Sequence, residues 1–166
     1  APINERLSYA GSILGQELKA EDVFQVGSFV DAFGISKGKG WQGVVKRYGV
    51  KIMDRKSNKT RRGIATMGAK SPSNVMFYVP RGGQMGFHNR FMRNLQVMKM
   101  GKAEEQINLK GGFIRYGLIK SNYVILKGTV PGPAKRLVKL RISSRREPVK
   151  EAPIITHLSL ASQQGV

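Results

Sequence analysis

Apolar residues recur at helical spacing at the start of the chain. Ile3, Leu7, Ala10, Leu14 and Leu18 follow one another at intervals of three or four residues, which places them on one face of a helix. The sequence therefore predicts a short amphipathic N-terminal helix. Two glycines within the run each weaken that helix by roughly 1 kcal/mol relative to alanine, so packing is expected to hold it.

After this helix, the helical period gives way to short runs rich in β-branched and aromatic residues. Glycine, proline or asparagine bounds the runs, as is typical of strands joined by turns. Short strands, regular turn signals and no long helix predict a mainly β fold built on a small antiparallel β-barrel. The predicted strands are two runs within 23–35 separated at Gly27, and the runs 74–80, 94–101, 111–119, 122–130 and 136–144.

The strand pattern lapses between Gly43 and Gly86. Glycines and cations fill this stretch, and a structureless loop of such length is uncommon inside a compact domain. It nevertheless keeps more apolar residues than a solvated linker needs, so we interpret it as a long irregular extension that orders against an outside partner. The predicted division is a helix and first barrel strands over 1–43, the central extension over 44–90, the remaining barrel strands over 91–144 and an extended tail over 145–166.

Charge gives that extension a partner class. The 166 residues include 29 Lys and Arg against 10 Asp and Glu, a net charge of +19. From Lys37 to Lys102 there are sixteen basic residues and one acid, Asp54. A chain with this imbalance repels itself, so a polyanion is expected to supply the counter-charge. The middle of the chain is therefore predicted to bind nucleic acid.

Several other classes of function are not supported. The chain has no cysteine, which excludes disulfides, thiolate zinc sites and cysteine nucleophiles. Glu5 and Arg6 interrupt the start where a secretory signal needs an apolar core, and no run is long enough to span a membrane. Asp, Glu and His form no cluster with metal-ligand spacing. We expect an intracellular protein without cofactor, metal, membrane or small-molecule substrate, and the first residue suggests a processed chain or a piece of a longer one.

The glycines of GKGWQG, residues 38–43, have the spacing that cradles a dinucleotide or roofs an ATP site. A dinucleotide fold needs a helix after the third glycine and an acid about 20 residues later. Here the helix is predicted to stop at Gly49, and positions 58–60 are Asn, Lys and Thr. Kinase and P-loop signatures are also absent. The favoured interpretation is that backbone amides approach RNA phosphates while neighbouring cations neutralise them; a simple tight turn is the alternative.

Other motifs leave alternatives open. The tripeptide GGQ at 82–84 is how release factors present a glutamine to peptidyl-tRNA, but three residues are weak evidence in a glycine-rich chain. His88 and His157 have no neighbouring carboxylate, which favours structural or RNA-contacting roles over catalysis. Trp41 could stack on a base or be buried against the barrel. The turn 128–136 could be a barrel corner, a platform for two cations, or both.

No catalytic or metal-binding residue is predicted, and the chain is predicted not to be an enzyme. The predicted RNA-binding residues are Lys37, Lys39, Trp41, Lys46, Arg47, Lys51, Arg55, Lys56, Lys59, Arg61, Arg62, Lys70, Arg81, Gln84, His88, Arg90, Arg93, Lys135 and Arg136.

A family resemblance rests on a long spaced pattern. Its positions are Phe24, Asp31, Gly34, Ser36, Gly38, Lys39, Gly40, Gly43 and Arg47, and QGVVKRYGVK, MGAKSPSNVMF, GGQMGFHNR, GGFIRYG and KGTVPGPAKRLVKLR continue it in order. In these motifs the chain resembles the universal large-subunit ribosomal protein L-three family of the archaeal or eukaryotic type. The resemblance implies a translation-protein-like barrel and an rRNA-binding extension that reaches towards the peptidyl transferase centre. It also implies a ribosomal, cytoplasmic location, with large-subunit rRNA and neighbouring ribosomal proteins as partners.

Two departures from the family pattern matter. The family's extension tip matches residues 68–72, and Lys70 stands where the family usually has tryptophan, so a stacking role is not carried over. The resemblance also begins partway along the family's length, so strands that complete the barrel and an N-terminal arm are expected to be missing. Two alternative functions stay open: a nucleotide-dependent or GGQ-type hydrolytic enzyme, and a general basic architectural protein of nucleic acids.

Overall fold

The computed structural model of the chain describes residues 2–71, 73–102, 105, 107–147 and 152–165. These residues form a mainly β structure with antiparallel sheets and few helices, which confirms the predicted class. The elements in chain order are α1 (Ile3–Ile13), α2 (Ala20–Val23), β1 (Phe29–Ile35), β2 (Trp41–Gln42), α3 (Val44–Tyr48), β3 (Gly83–Gln84), β4 (Asn89–Gly101), β5 (Tyr123–Leu126) and β6 (Lys139–Ile142).

The strands form one four-stranded sheet in the order β5-β4-β1-β6 and one two-stranded sheet, β2-β3. Every neighbouring pair is antiparallel. The four-stranded sheet stays open over the described residues, with β5 and β6 at its edges, so the predicted closed barrel is not seen in this part of the chain. The tail residues 152–165 form neither helix nor strand and lie against the segment before β5, where the amide of Lys110 donates to the carbonyl of Leu160 at 3.1 Å.

The predicted N-terminal helix is present but shorter than its apolar pattern. It ends at Ile13 because Leu14 leaves the helical conformation and Gly15 takes a positive φ of 83°. Ile3 and Leu7 on its apolar face are exposed, so the expected packing is not made by the described residues. At 11 residues α1 is the longest helix in the described ranges, and none of the helices there has the length and hydropathy to cross a bilayer.

Three predicted strands do not form. The run from residue 23 begins as the end of α2 and continues as a loop. Residues 74–80 form bends and a turn, and 111–119 form tight turns with one isolated bridge between Phe113 and Gly117. High β propensity reflects fit to a half-buried sheet, and these apolar runs have no partner strand beside them.

The core lies on one face of the four-stranded sheet. It consists of Phe24, which follows α2, with Val30 and Ala32 of β1 and Leu95 and Val97 of β4. Partly buried side chains from β4, β5 and β6 surround this cluster. The core is small because one short helix and one sheet face supply it. The two central strands of the sheet, β1 and β4, also lead into and out of the cationic middle of the chain.

The opposite face of the sheet is built from aromatic rings and arginines. Phe33 of β1 and Phe91 of β4 stack with their centroids 4.1 Å apart and their planes 16° from parallel. The Arg141 guanidinium lies 5.2 Å from the first ring and 5.4 Å from the second, and Arg93 lies 4.8 Å from the second. Cations over aromatic faces are attracted by the ring quadrupole, so these contacts stabilise this face of the sheet.

Asp31 joins three strands at the centre of the sheet. The β1–β4 register shifts next to it, and Asn94 adopts a positive φ of 57° there, as expected at a β-bulge. The amide of Asn94 donates to one carboxylate oxygen at 3.1 Å, and Arg141 of β6 donates to the other at 2.9 Å. Burial alone would raise the pKa of Asp31, but the Arg141 and Asn94 hydrogen bonds outweigh it and hold the pKa below its ordinary value.

Replacing Asp31 by alanine should destabilise the sheet. Asp31→Ala leaves the Arg141 guanidinium and the bulge amide without their acceptor, and we expect a loss of about 2–3 kcal/mol in the free energy of unfolding by urea at neutral pH. Because the folded-state pKa is lowered, this stabilisation is present above the unfolded pKa of about 3.9 and is lost as the pH falls through the folded value.

The difference between the wild type and the variant should therefore shrink in acid. The matched control is Asp54→Ala, which removes an exposed carboxylate and should change stability by no more than about 0.5 kcal/mol. Equal stability of Asp31→Ala and the wild type at neutral pH would contradict the role given to this carboxylate.

Candidate nucleic-acid interface

Strands β1 and β4 continue beyond the sheet as a two-stranded ribbon, in which residues 36–42 lie against 83–88. The Lys39 amide donates to the Met85 carbonyl at 2.9 Å, and the Met85 amide donates to the Gly40 carbonyl at 2.9 Å. Further out, β2 pairs with β3. The glycine-rich stretch and the GGQ stretch are therefore two sides of one ribbon, although they are separate motifs in the sequence.

Glycines are required by the path of this ribbon. Gly86 has a positive φ of 73°, and a β-carbon there would overlap the carbonyl oxygen of Lys37 on the opposite side. Phe87 follows with φ 57°, a conformation that is rare for a bulky residue. Gly40 also has a positive φ, of 67°, but a β-carbon there would meet open space. Of the three glycines of GKGWQG, Gly40 is the one whose backbone conformation favours glycine.

The cationic segment, residues 43–82, joins the two outer ends of the ribbon. It begins with α3, which Gly49 ends in a left-handed conformation, as the sequence predicts. Beyond Gly49, the described residues 50–71 and 73–82 contain neither helix nor strand. Many large apolar side chains here are exposed, so the segment has little core of its own: Tyr48, Ile52, Met67, Val75, Met76, Phe77 and Tyr78.

Two arginines predicted to bind RNA hold the base of this segment together. The half-buried Arg47 of α3 donates to the Arg81 carbonyl at 2.9 Å, and its guanidinium packs against Gly83, where a β-carbon would lie 3.0 Å from Cζ. Arg81 in turn places Nη2 2.8 Å from the sulfur of Met67. These contacts bring residues from three parts of the segment to the end of the ribbon.

The predicted binding residues lie in four parts of the structure. All are exposed except Arg47 and Arg136, which are half-buried. On the ribbon are Lys37, Lys39, Trp41, Gln84 and His88; in the cationic segment are Lys46, Arg47, Lys51, Arg55, Lys56, Lys59, Arg61, Arg62, Lys70 and Arg81; at the start of β4 are Arg90 and Arg93; in the turn before β6 are Lys135 and Arg136.

These cations have no carboxylate partners within the described residues. The two ion pairs found there are Lys99–Glu105 at 2.7 Å and Arg141–Asp31 at 2.9 Å, and neither includes a predicted binding residue. The positive charge of the ribbon and the segment is therefore presented to solvent. Pro72, at the tip that the resemblance marks, lies outside the described residues.

Side-chain positions bear on two of the open alternatives. Trp41 is 78% exposed, so its ring is accessible and the alternative of burial against a barrel is not seen in the described residues. The Gln84 amide donates to the carbonyls of Met85 at 3.3 Å and Gly86 at 3.2 Å, so it folds back onto its own loop. In the described residues, no group of three or more acidic or histidine side chains could hold a metal ion.

The turn before β6 packs against the root of the ribbon. Gly132 lies so close to β1 that a β-carbon on it would stand 2.8 Å from the Ile35 carbonyl oxygen. Arg136 lies 5.7 Å from the ring centroid of Phe87. Lys135 and Arg136 are thereby brought to the same end of the sheet as the ribbon.

Comparison with known proteins identifies the family of this chain. The family model described as Ribosomal protein L3 matches residues 2–165 of the chain. The chain belongs to the ribosomal protein L3 family. Its relatives include proteins named large ribosomal subunit protein uL3 from Methanocaldococcus jannaschii, 49% identical over 98% of the chain, and from Methanothermobacter thermautotrophicus, 47% identical over 98%. A relative of the same name from Methanopyrus kandleri is 44% identical over 99% of the chain.

The chain spans about half the length of the L3 relatives it matches: 50%, 50% and 46% of those three proteins. The matched half contains the sheet, the ribbon and the cationic segment. The predicted family membership is confirmed, because the family model matches residues 2–165 and so includes the ribbon and the sheet.

Sequence reasoning missed some candidate residues of this L3-family chain. A cleft of about 280 Å³ is lined by Lys37, Ile114, Arg115, Pro133 and Ala134. Arg115 adopts a positive φ of 61° in the tight turns of GGFIRYG and was not predicted because that run was assigned to a strand. Phe77 and Tyr78 were missed for the same reason. The available signal for Phe77 and Tyr78 was an apolar run within a stretch that has no acidic residue.

Gly86→Ala should separate the two sides of the ribbon. The new β-carbon would overlap the Lys37 carbonyl, and the left-handed backbone would add strain of about 1–3 kcal/mol. We expect faster amide hydrogen exchange at Lys39 and Met85, whose hydrogen bonds cross the ribbon. Gly40→Ala is the control. Its backbone has the same left-handed strain, but the added β-carbon overlaps no atom, so amide exchange should accelerate much less. Equal exchange rates in the two variants would show that the ribbon is not held as described.

Proposed function

We propose that the chain is a structural constituent of the large ribosomal subunit that binds rRNA and has no catalytic activity of its own. The observation that carries this proposal is the set of mostly exposed cations on the ribbon and the cationic segment that lack carboxylate partners among the described residues, in a chain of the L3 family. Its partners would be large-subunit rRNA and neighbouring ribosomal proteins, and its location would be the cytoplasmic ribosome.

The mechanism we propose is phosphate neutralisation combined with recognition of RNA shape. Lysine and arginine side chains along the segment would replace the counterions that RNA helices otherwise carry, so that the helices can approach each other closely. Among its described residues, the cationic segment has many exposed apolar side chains and few internal backbone hydrogen bonds. Folded RNA would complete its shape and supply the counter-charge that its own carboxylates do not.

Position would come from the sheet. Residues 44–90 would form the extension, reaching through rRNA towards the peptidyl transferase centre as the resemblance implies. The ribbon supports this role, because both ends of the segment leave the sheet through paired backbone and not through a flexible linker. A rigid base would let the cations arrive at fixed places on the RNA.

We further propose that the open sheet is part of a small antiparallel barrel. Register shifts interrupt both the β1–β4 pairing, between Val30 and Ala32, and the β4–β5 pairing, between Val97 and Lys99. Such bulges increase the twist and bend of strands and are common in barrels. The edges of β5 and β6 would then pair with parts of the family fold outside the described residues.

The alternatives receive less support. A dinucleotide site needs a helix after the third glycine whose N-terminus faces the pyrophosphate, and α3 has only five residues. A GGQ-type hydrolase needs its glutamine presented to substrate, and Gln84 is folded back. A general architectural protein would bind duplex DNA as tightly as rRNA, so competition between the two at equal salt distinguishes that alternative.

Affinity for large-subunit rRNA should fall steeply with salt. If about ten phosphates are contacted on duplex regions, the log-log slope of the association constant against salt concentration should be about −9, and somewhat shallower for contacts to single strands. The measurement is a binding titration of the 166-residue chain over a range of salt concentrations. A slope of about −2 would mean that few of the cations touch phosphate and would refute the proposed mechanism.

Removing two exposed cations from the segment should weaken binding without unfolding the sheet. The double variant Arg61→Ala/Arg62→Ala should make the salt slope shallower by about 2, while the thermal unfolding midpoint stays the same. Lys120→Ala/Lys127→Ala removes equal charge from exposed positions outside the predicted site and should change the slope less. Loss of the fold in the first variant would show that the segment belongs to the core and is no extension.

A further inference from the structure

The turn at Phe77 and Tyr78 carries two adjacent aromatic rings in solvent. Phe77 is 100% exposed and Tyr78 is 71% exposed. The chain turns beneath them, where the amide of Val79 donates to the carbonyl of Met76 at 3.2 Å. The ring centroids lie 5.8 Å apart and the planes are 78° apart, an edge-to-face arrangement. The two rings therefore form a small aromatic surface that projects from the cationic segment.

This exposure is costly unless something covers the rings. Burying a phenylalanine side chain typically contributes about 1.5–3 kcal/mol, and a fully exposed ring gives up that contribution. Elsewhere in the chain, arginines cover aromatic faces, as Arg146 does over Phe29 at 4.2 Å. Over the described residues, no such cation lies on Phe77 or Tyr78. Their faces are available to a planar ligand.

The charge around the pair selects the kind of ligand. No Asp or Glu occurs in the sequence between Asp54 and Glu104, while Lys70 and Arg81 are the nearest cations before and after the turn along the chain. An acid-free cationic surface favours an anionic partner, and exposed aromatic rings within it favour one that also has flat apolar faces. Single-stranded RNA has both properties, because its phosphates carry charge and its unpaired bases expose their faces.

We propose that Phe77 and Tyr78 form a stacking site for an unpaired nucleobase of RNA. This inference rests on the proposed rRNA-binding function and adds to it a site that reads single-stranded structure. Phe77 offers its ring to the base. Tyr78 stands nearly perpendicular beside it, where its phenol hydroxyl can exchange hydrogen bonds with a base or ribose. Lys70 and Arg81 neutralise phosphates of the bound strand. Because only an unpaired base can stack on the rings, the turn distinguishes unpaired from paired RNA, which the remaining cations do not.

The test compares three substitutions at Phe77 in the full chain. Phe77→Leu keeps an apolar side chain of similar size but removes the π face, whereas Phe77→Trp keeps the face. Binding is measured to single-stranded oligoadenylate, to the same strand paired with its complement, and to large-subunit rRNA from Methanocaldococcus jannaschii. We expect Phe77→Leu and Phe77→Ala to weaken single-strand binding about 5- to 150-fold, the range of one base stack, and Phe77→Trp to bind at least as tightly as the wild type.

Duplex binding and the salt slope should be the same in all variants, because no phosphate contact is removed. Leu137→Ala, which truncates an apolar side chain that is 76% exposed near β6, is the matched control and should change nothing. Photocrosslinking of the wild type to the single strand should join a base to Phe77 or Tyr78.

Two outcomes separate this inference from the function on which it rests. A wild-type salt slope of about −2 on rRNA would overturn the proposed function. A steep slope together with wild-type single-strand affinity of Phe77→Leu would overturn only the stacking site. Crosslinks confined to Trp41 would also overturn the inference, by assigning base stacking to the ribbon.

Discussion

The rest of the structure depends on the pairing of β1 with β4. These two strands supply most of the buried core, and the same two strands continue outward as the ribbon that carries both ends of the cationic segment. Their register is fixed by a buried carboxylate, since Asp31 binds the amide of Asn94 on β4 and the guanidinium of Arg141 on β6. A single acid is thus positioned to align the strands from which a strongly basic segment emerges.

Arginine and lysine are used differently along the chain. Some arginines are satisfied by the protein itself: Arg141 of the sheet binds Asp31, and Arg47 of α3 binds a carbonyl and packs over Tyr48. Their planar guanidinium groups suit stacking and directed hydrogen bonds. The ribbon and segment lysines have no such described partners and remain in solvent. The same net charge therefore includes cations that build the fold and cations that await a partner, and the proposed role in rRNA binding draws mainly on the second group.

The sequence predicted the elements whose cause is local. The N-terminal helix, the end of α3 at Gly49 and the charge of the middle segment all follow from spacing, glycine conformation and composition. It could not predict features that depend on distant neighbours. Residues 74–80 have strand propensity but meet no partner strand, and Trp41 could be judged buried or exposed only once its ribbon was seen. The pairing of 38–43 with the GGQ stretch is a contact between positions more than forty residues apart, which no local pattern reveals.

The ribbon also determines where the chain can change in length. Side chains alternate between its two faces, so one residue inserted in 36–42 would turn every following side chain to the opposite face and displace Gly86 from the carbonyl it must clear. The irregular loops of 50–71 have no such register, because little backbone pairing crosses them. Insertions and deletions in evolution should accordingly accumulate in those loops, with a rigid stem left unchanged beneath a tip of variable reach.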